Sequence, residues 1–175
     1  TLIYTSGTTG EPKGGVLSHG NFVSNVTTCS TFFDVNAGTV GLSFLPLAHV
    51  FERMIDYVFF SRAATITYAE SIEKLADNFG EVKPHCFASV PRVYDKIHAK
   101  VFQNLEDQSP AKQKIFRWAV EVGKARLALL EKRRPVPGGL ALKYRVADRL
   151  VFSKIKARLG GRFRFCLSGG APLSK

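Results

Sequence analysis

The stretch that most constrains this chain is Thr5-Ser6-Gly7-Thr8-Thr9-Gly10-Glu11-Pro12-Lys13-Gly14. It follows the apolar run Leu2-Ile3-Tyr4, which reads as the end of a strand. It precedes a segment of helical periodicity that begins near Ser18. The expectation is therefore a loop between a strand and a helix, where phosphate-binding loops sit. Gly7, Gly10 and Gly14 let backbone N–H groups approach a ligand with no Cβ in the way. Thr5, Ser6, Thr8 and Thr9 add four hydroxyls that can donate to phosphate oxygens. Lys13 adds a compact positive charge, and Pro12 stiffens the chain just before it. A Walker-type loop, G-x-x-x-x-G-K-[ST], does not fit, because Pro12 replaces the glycine before the lysine and Gly14 stands where the metal-binding hydroxyl belongs. A flexible Gly/Ser linker fits no better, since a linker needs no lysine after a proline.

Tyr4-Thr5-Ser6-Gly7-Thr8-Thr9-Gly10-x-Pro12-Lys13-Gly14, continued by Leu17-Ser18-His19-Gly20-Asn21, resembles the ATP signature of the adenylate-forming enzymes. These are the acyl-CoA synthetases, luciferases and peptide-synthetase adenylation domains. The chain departs from the pattern at Gly15, where the family carries a bulky apolar residue. Pro46-Leu47-Ala48-His49-Val50-Phe51-Glu52-Arg53 is similar to a second signature of acyl-CoA synthetases, and Val90-Pro91-Arg92 to a segment of the long-chain type. Ser168-Gly169-Gly170-Ala171-Pro172-Leu173 resembles the glycine turn that passes beside the adenine and the acyl chain.

That resemblance implies roles. Lys13 and the hydroxyls of Thr5, Ser6, Thr8 and Thr9, with the Gly7 and Gly10 backbone, would hold the β and γ phosphates of ATP. Thr5 would be a ligand to Mg2+. His49 would donate to the carboxylate of the acid and orient it towards the α-phosphate. Gly169, Gly170, Ala171 and Pro172 would line the nucleotide, Gly169 and Gly170 because a Cβ there would meet the purine. Lys13 and His49 are thus the catalytic candidates. Glu52 and Arg53 read as a structural ion pair. The implied reaction is activation of a long-chain fatty acid through acyl-AMP to acyl-CoA, with ATP, Mg2+ and coenzyme A taking part. A ligase for another acid, or one that loads a carrier protein, stays open. So does a reading from another class, a non-catalytic basic module for anionic lipid or nucleic acid. Nucleic acid ranks low, because aromatic residues are not interleaved with the basic run.

Strands are expected near 2–4, 40–45, 63–68, 85–90 and 162–167. Helices are expected over 18–33, after His49, from Ser71 to Phe79, after Val90-Pro91-Arg92, over 110–134 and over 140–159. Strands alternating with helices predict an α/β fold: a layered, largely parallel sheet flanked by helices. By resemblance this is part of the N-terminal domain of an acyl-CoA synthetase-like fold, with 1–108 and 162–175 as the core and 109–161 as a basic helical hairpin insertion. The chain reads as a segment of a longer enzyme, inactive alone. With 45% apolar residues and 14 Phe it is globular, not disordered.

Charge is unevenly placed. Residues 1–110 carry 8 Lys/Arg and 11 Asp/Glu, and residues 111–175 carry 17 and 3. The net +11 therefore comes wholly from the last third, which points to an anionic partner such as coenzyme A phosphates or a membrane surface. Cys29, Cys86 and Cys166 lie among apolar neighbours with no C-x-x-C spacing, so buried free thiols in a reducing compartment are expected. The expected location is cytoplasmic, with peripheral contact at the inner membrane.

Overall fold

The computed structural model describes residues 1–6 and 11–172, the side chain of Ser6 excepted. By contacts the chain divides into two units, Thr1–Pro91 with Phe163–Lys175, and Arg92–Arg162.

The first unit opens with a correction. β1 (Leu2–Ser6) does not lead to a helix but pairs antiparallel with β2 (Pro12–Val16), Thr5 opposite Lys13 and Tyr4 opposite Gly14. Thr5, Lys13 and Gly14 of the expected phosphate loop are therefore strand residues of an antiparallel pair. The helix begins where its periodicity predicts, after Ser18, and the unexpected element is the strand before it, in which the Tyr4 ring packs over Gly14, whose Cβ would lie 3.3 Å from that ring. Pro12 is tolerated as the first residue of an edge strand. α1 (His19–Phe32) then starts at a full capping box between Ser18 and Asn21, and Phe22 packs edge-on against Tyr57.

The main sheet is fully parallel, in the order β4-β3-β5-β6, with β3 at Val40–Ser43, β4 at Thr65–Tyr68, β5 at Cys86–Ser89 and β6 at Phe165–Ser168. α2 (Val50–Ser61) lies on one face, where Ile55 and Phe59 pack with Val35, Cys86 and Ala88. Gly41 lets the helix come close: a Cβ there would stand 2.5 Å from the Phe59 ring. On the opposite face Phe87 meets Phe79, Phe44 and Phe163. α3 (Leu75–Val82) begins later than Ser71 and runs through Gly80, ending at Lys83 in the left-handed region just before Pro84. β6 is an edge strand of this sheet, as its alternating pattern predicts.

The second unit is helical: α4 (Pro91–Glu106), α5 (Pro110–Glu131), α6 (Gly138–Ala147), a π-helical turn at Asp148–Phe152, and α7 (Ser153–Arg158). Residues 92–108 group with these helices and not with the sheet. Its core joins Ala119 and Val122 of α5 to Ala147 and Val151, with Phe116, Tyr144, Phe152 and Ile155 around them. The α5 stripe expected through Ile115, Leu127 and Leu130 is displaced, and those three stay exposed. The π turn interrupts the second basic helix where Phe152 reaches Gly123, whose Cβ would lie 3.1 Å from the ring.

The thiols are free. Cys86 is buried in the sheet, and burial pushes it up to about 11, which makes it inert. Cys29 on α1 is half-buried and Cys166 on the edge strand is exposed, so the expectation of three buried thiols holds only at Cys86.

Candidate active site

Parallel sheets bind ligands beyond the carboxyl ends of their strands. Here those ends carry Ser43, Ser89 and Ser168, and the expected site residues fall into two groups, one on the hairpin and one beside the ends of β5 and β6.

The first group is on the hairpin. Thr5 and Lys13 are cross-strand partners, both exposed, and the Thr5 hydroxyl donates to the Lys13 carbonyl at 3.4 Å. Ser6 completes β1, while Gly7, Thr8, Thr9 and Gly10 lie outside the described residues. Thr5 and Lys13 thus stand on the two strands that the loop joins, in a sheet separate from the four-stranded one. Among the described residues no group of three or more His, Cys, Asp or Glu could hold a metal ion. The Thr5 hydroxyl, with one long hydrogen bond, could supply a single oxygen to an Mg2+ that took its other ligands from water and phosphate.

The second group surrounds the start of α2. His49 is the residue before the helix, in extended conformation and exposed, and its side chain makes no capping bond. Phe51, two residues on, seats its ring against Gly169, where a Cβ would lie 2.4 Å from the ring. The Gly169 amide donates to the Ser89 carbonyl at 3.2 Å, and Gly170 follows at φ +79°. Ala171 and Pro172 continue exposed. The structure thus brings the histidine end of α2 and the glycine turn together. The crowding at Gly169 comes from the chain's own Phe51 ring.

The Glu52–Arg53 ion pair does not form. Adjacent helical side chains point away from each other. Arg53 Nε donates to the Leu47 carbonyl at 3.0 Å instead. Glu52 is 1% exposed, and the Ser43 hydroxyl donates to its Oε1 at 2.6 Å. One turn later Asp56 is also buried and accepts from the Tyr68 hydroxyl at 3.0 Å. Glu52 Oε2 and Asp56 Oδ1 are buried without a hydrogen-bond partner. Desolvation pushes Glu52 up to about 7, against the Ser43 hydrogen bond that lowers it, and the Asp56 charge pushes the same way as burial. Asp56 is raised too, chiefly by burial. This Ser43–Glu52 link ties the first turn of α2 to the end of β3, one turn from His49. Sequence reasoning missed it. An acid in the first turn of a helix normally signals the dipole, and only Ile55 and Phe59, three and seven residues on, hinted that position 52 faces inward.

Comparison with known proteins gives the family and the fold. The family of AMP-binding enzymes matches residues 1–175, and the chain belongs to that family. Long chain acyl-CoA synthetase 6, peroxisomal, of Arabidopsis thaliana is 40% identical over 99% of this chain and 24% of its own length. Long-chain-fatty-acid–CoA ligase 5 of Rattus norvegicus is 38% identical, again over 99% of this chain and 24% of its own. The chain spans about a quarter of the length of these relatives. Among solved structures, the adenylation domain of a carboxylate reductase from Mycobacterium chelonae shares the fold, with a TM-score of 0.61 at 24% identity, covering 99% of this chain and 23% of that one. The N-terminal domain of FACL13 from Mycobacterium tuberculosis does so with a TM-score of 0.57 at 20% identity, over 99% and 31%.

Proposed function

We propose that the chain is the triphosphate-gripping and acid-orienting part of a longer, ATP-dependent long-chain fatty acid–CoA ligase. The observation that carries this reading is the hairpin: Thr5 and Lys13 face each other across the strands that flank a glycine-and-hydroxyl loop, in a chain of the AMP-binding family. The fatty acid carboxylate attacks the α-phosphate of ATP, and pyrophosphate leaves. The thiol of coenzyme A then attacks the acyl carbonyl, and AMP leaves. Lys13 and the loop hydroxyls hold the departing β and γ phosphates, which is positioning and charge stabilisation, not proton transfer. His49 donates to the acid's carboxylate. The turn Gly169-Gly170-Ala171-Pro172 borders the nucleotide, its shape held by Phe51. When bound, Mg2+ neutralises charge on the triphosphate, with Thr5 as the protein ligand.

We place the enzyme in the cytoplasm, at the surface of a membrane, on the strength of the cationic last third of the chain. No helix among the described residues is long and apolar enough to cross a membrane.

The test is palmitate-dependent ATP–pyrophosphate exchange by the full-length protein. Exchange with palmitate, but not with acetate or an amino acid, is expected. Lys13→Ala should lower kcat/KM by about 100-fold or more, the scale of one lost charge-stabilising group. Unchanged turnover in Lys13→Ala rejects the role of the hairpin. Exchange only with another acid transfers the reading to a different adenylating ligase.

A further inference from the structure

One amphipathic helix normally has one apolar stripe, and the stretch from α6 through α7 has two. The first is internal: Tyr144, Ala147, Val151 and Ile155 belong to the core against α5. The second points outward. Leu142, Val146 and Leu150, spaced four apart, are 62%, 44% and 43% exposed. Within α6, at about 100° per residue, Arg145 borders this outer stripe on one side and Lys143 on the other, Arg149 precedes Leu150 in the π turn that follows, and all three cations are exposed. The surrounding unit is strongly cationic, with 18 Lys/Arg against 6 Asp/Glu over residues 92–162.

We infer that this outer face docks on an anionic lipid bilayer. Apolar side chains hemmed by arginine and lysine form the pattern that lies flat at a headgroup boundary, with the apolar groups dipping into the acyl region and the cations among phosphates. A protein partner would have to match both the stripe and an excess of twelve positive charges. A bilayer supplies apolar depth and anionic surface together. The inference deepens the membrane contact of the proposed function and rests on that reading only for its purpose: a long-chain acid resides in bilayers, so an enzyme that activates it gains by working there.

The experiment is co-sedimentation of the full-length protein with vesicles of neutral phosphatidylcholine, and with vesicles that also contain roughly 30% phosphatidylglycerol. Binding to the anionic vesicles only, weakened by salt, is expected. Replacing Lys143, Arg145 and Arg149 together by Gln should weaken it about 100-fold. Leu142→Glu with Val146→Glu should weaken it about tenfold or more. The charge-keeping set Lys143→Arg, Arg145→Lys and Arg149→Lys should bind like the wild type, which separates lost docking from lost folding. Equal binding to both vesicles, or unaltered binding by the Gln and Glu variants, overturns the inference. So does slow maleimide labelling of Leu142→Cys, relative to the wild-type thiols, in the vesicle-free protein, because the stripe would then be covered. Palmitate-dependent exchange in detergent micelles, run on the same variants, should be unchanged. If the wild type shows no exchange but still binds anionic vesicles through this stripe, the ligase reading fails and the docking surface stands. Exchange without vesicle binding gives the reverse.

Discussion

At position 52 a carboxyl group sits where water cannot reach it, held by one hydroxyl at 2.6 Å and left with one oxygen unpartnered. Its ordinary value is 4.5 and its folded value is about 7. The folded protein therefore holds this proton more tightly than the unfolded chain does. Stability from this group is complete below pH 4.5 and falls as the pH rises from 4.5 through 7. The full drop is at most about 3 kcal/mol. Glu52→Gln keeps an acceptor for Ser43 and cannot ionise. Denaturant unfolding across this pH range should give a flatter profile for the variant, and parallel profiles would refute the raised value. Asp56, shifted in the same direction, leaves a residual slope in both proteins.

Among the elements, the hairpin is where sequence and structure part most clearly. The glycine, hydroxyl and lysine pattern was legible, because those residue types answer directly to phosphate chemistry. The partner strand was not legible: Pro12-Lys13-Gly14-Gly15-Val16 has neither alternation nor β-formers, and pairing with β1 overrides its weak local preference. Gly15 makes this testable. It stands opposite Ile3, and an added Cβ would meet only the Ile3 carbonyl, at an ordinary 3.6 Å. Gly15→Val should therefore stabilise the protein by about 0.5–1 kcal/mol, by removing glycine's entropy cost from a strand. Thermal unfolding checks it, and a lowered Tm would show that the glycine is needed. The helices were more legible where their caps are strong, as at Ser18 and Ser109-Pro110. They were less so where tertiary packing decides: nothing in the sequence between Ala147 and Ser153 announces a π turn, which exists because Phe152 must reach Gly123.

For the whole molecule, the α/β class with a parallel sheet followed from alternating elements, and the four parallel strands bear it out. The relation of the site to the rest of the enzyme was not legible, because a quarter-length chain carries only part of it. The proposed ligase has about four times the length of this chain if it matches its relatives. The isolated 175-residue chain should accordingly form no acyl-CoA above background from palmitate, ATP and coenzyme A. Thioester formation by the isolated chain, measured by chromatography, would show that the catalytic set lies within it.

β5 and β6 are ladder neighbours, although the whole helical unit runs between them in sequence. Because the two strands are parallel, the connection leaves β5 after Ser89 and returns to β6 before Phe165, so its ends are fixed about a strand length apart, roughly 10 Å. Growth or shrinkage of residues 92–162 over evolutionary time leaves this gap, and the geometry of the glycine turn beyond β6, unaltered.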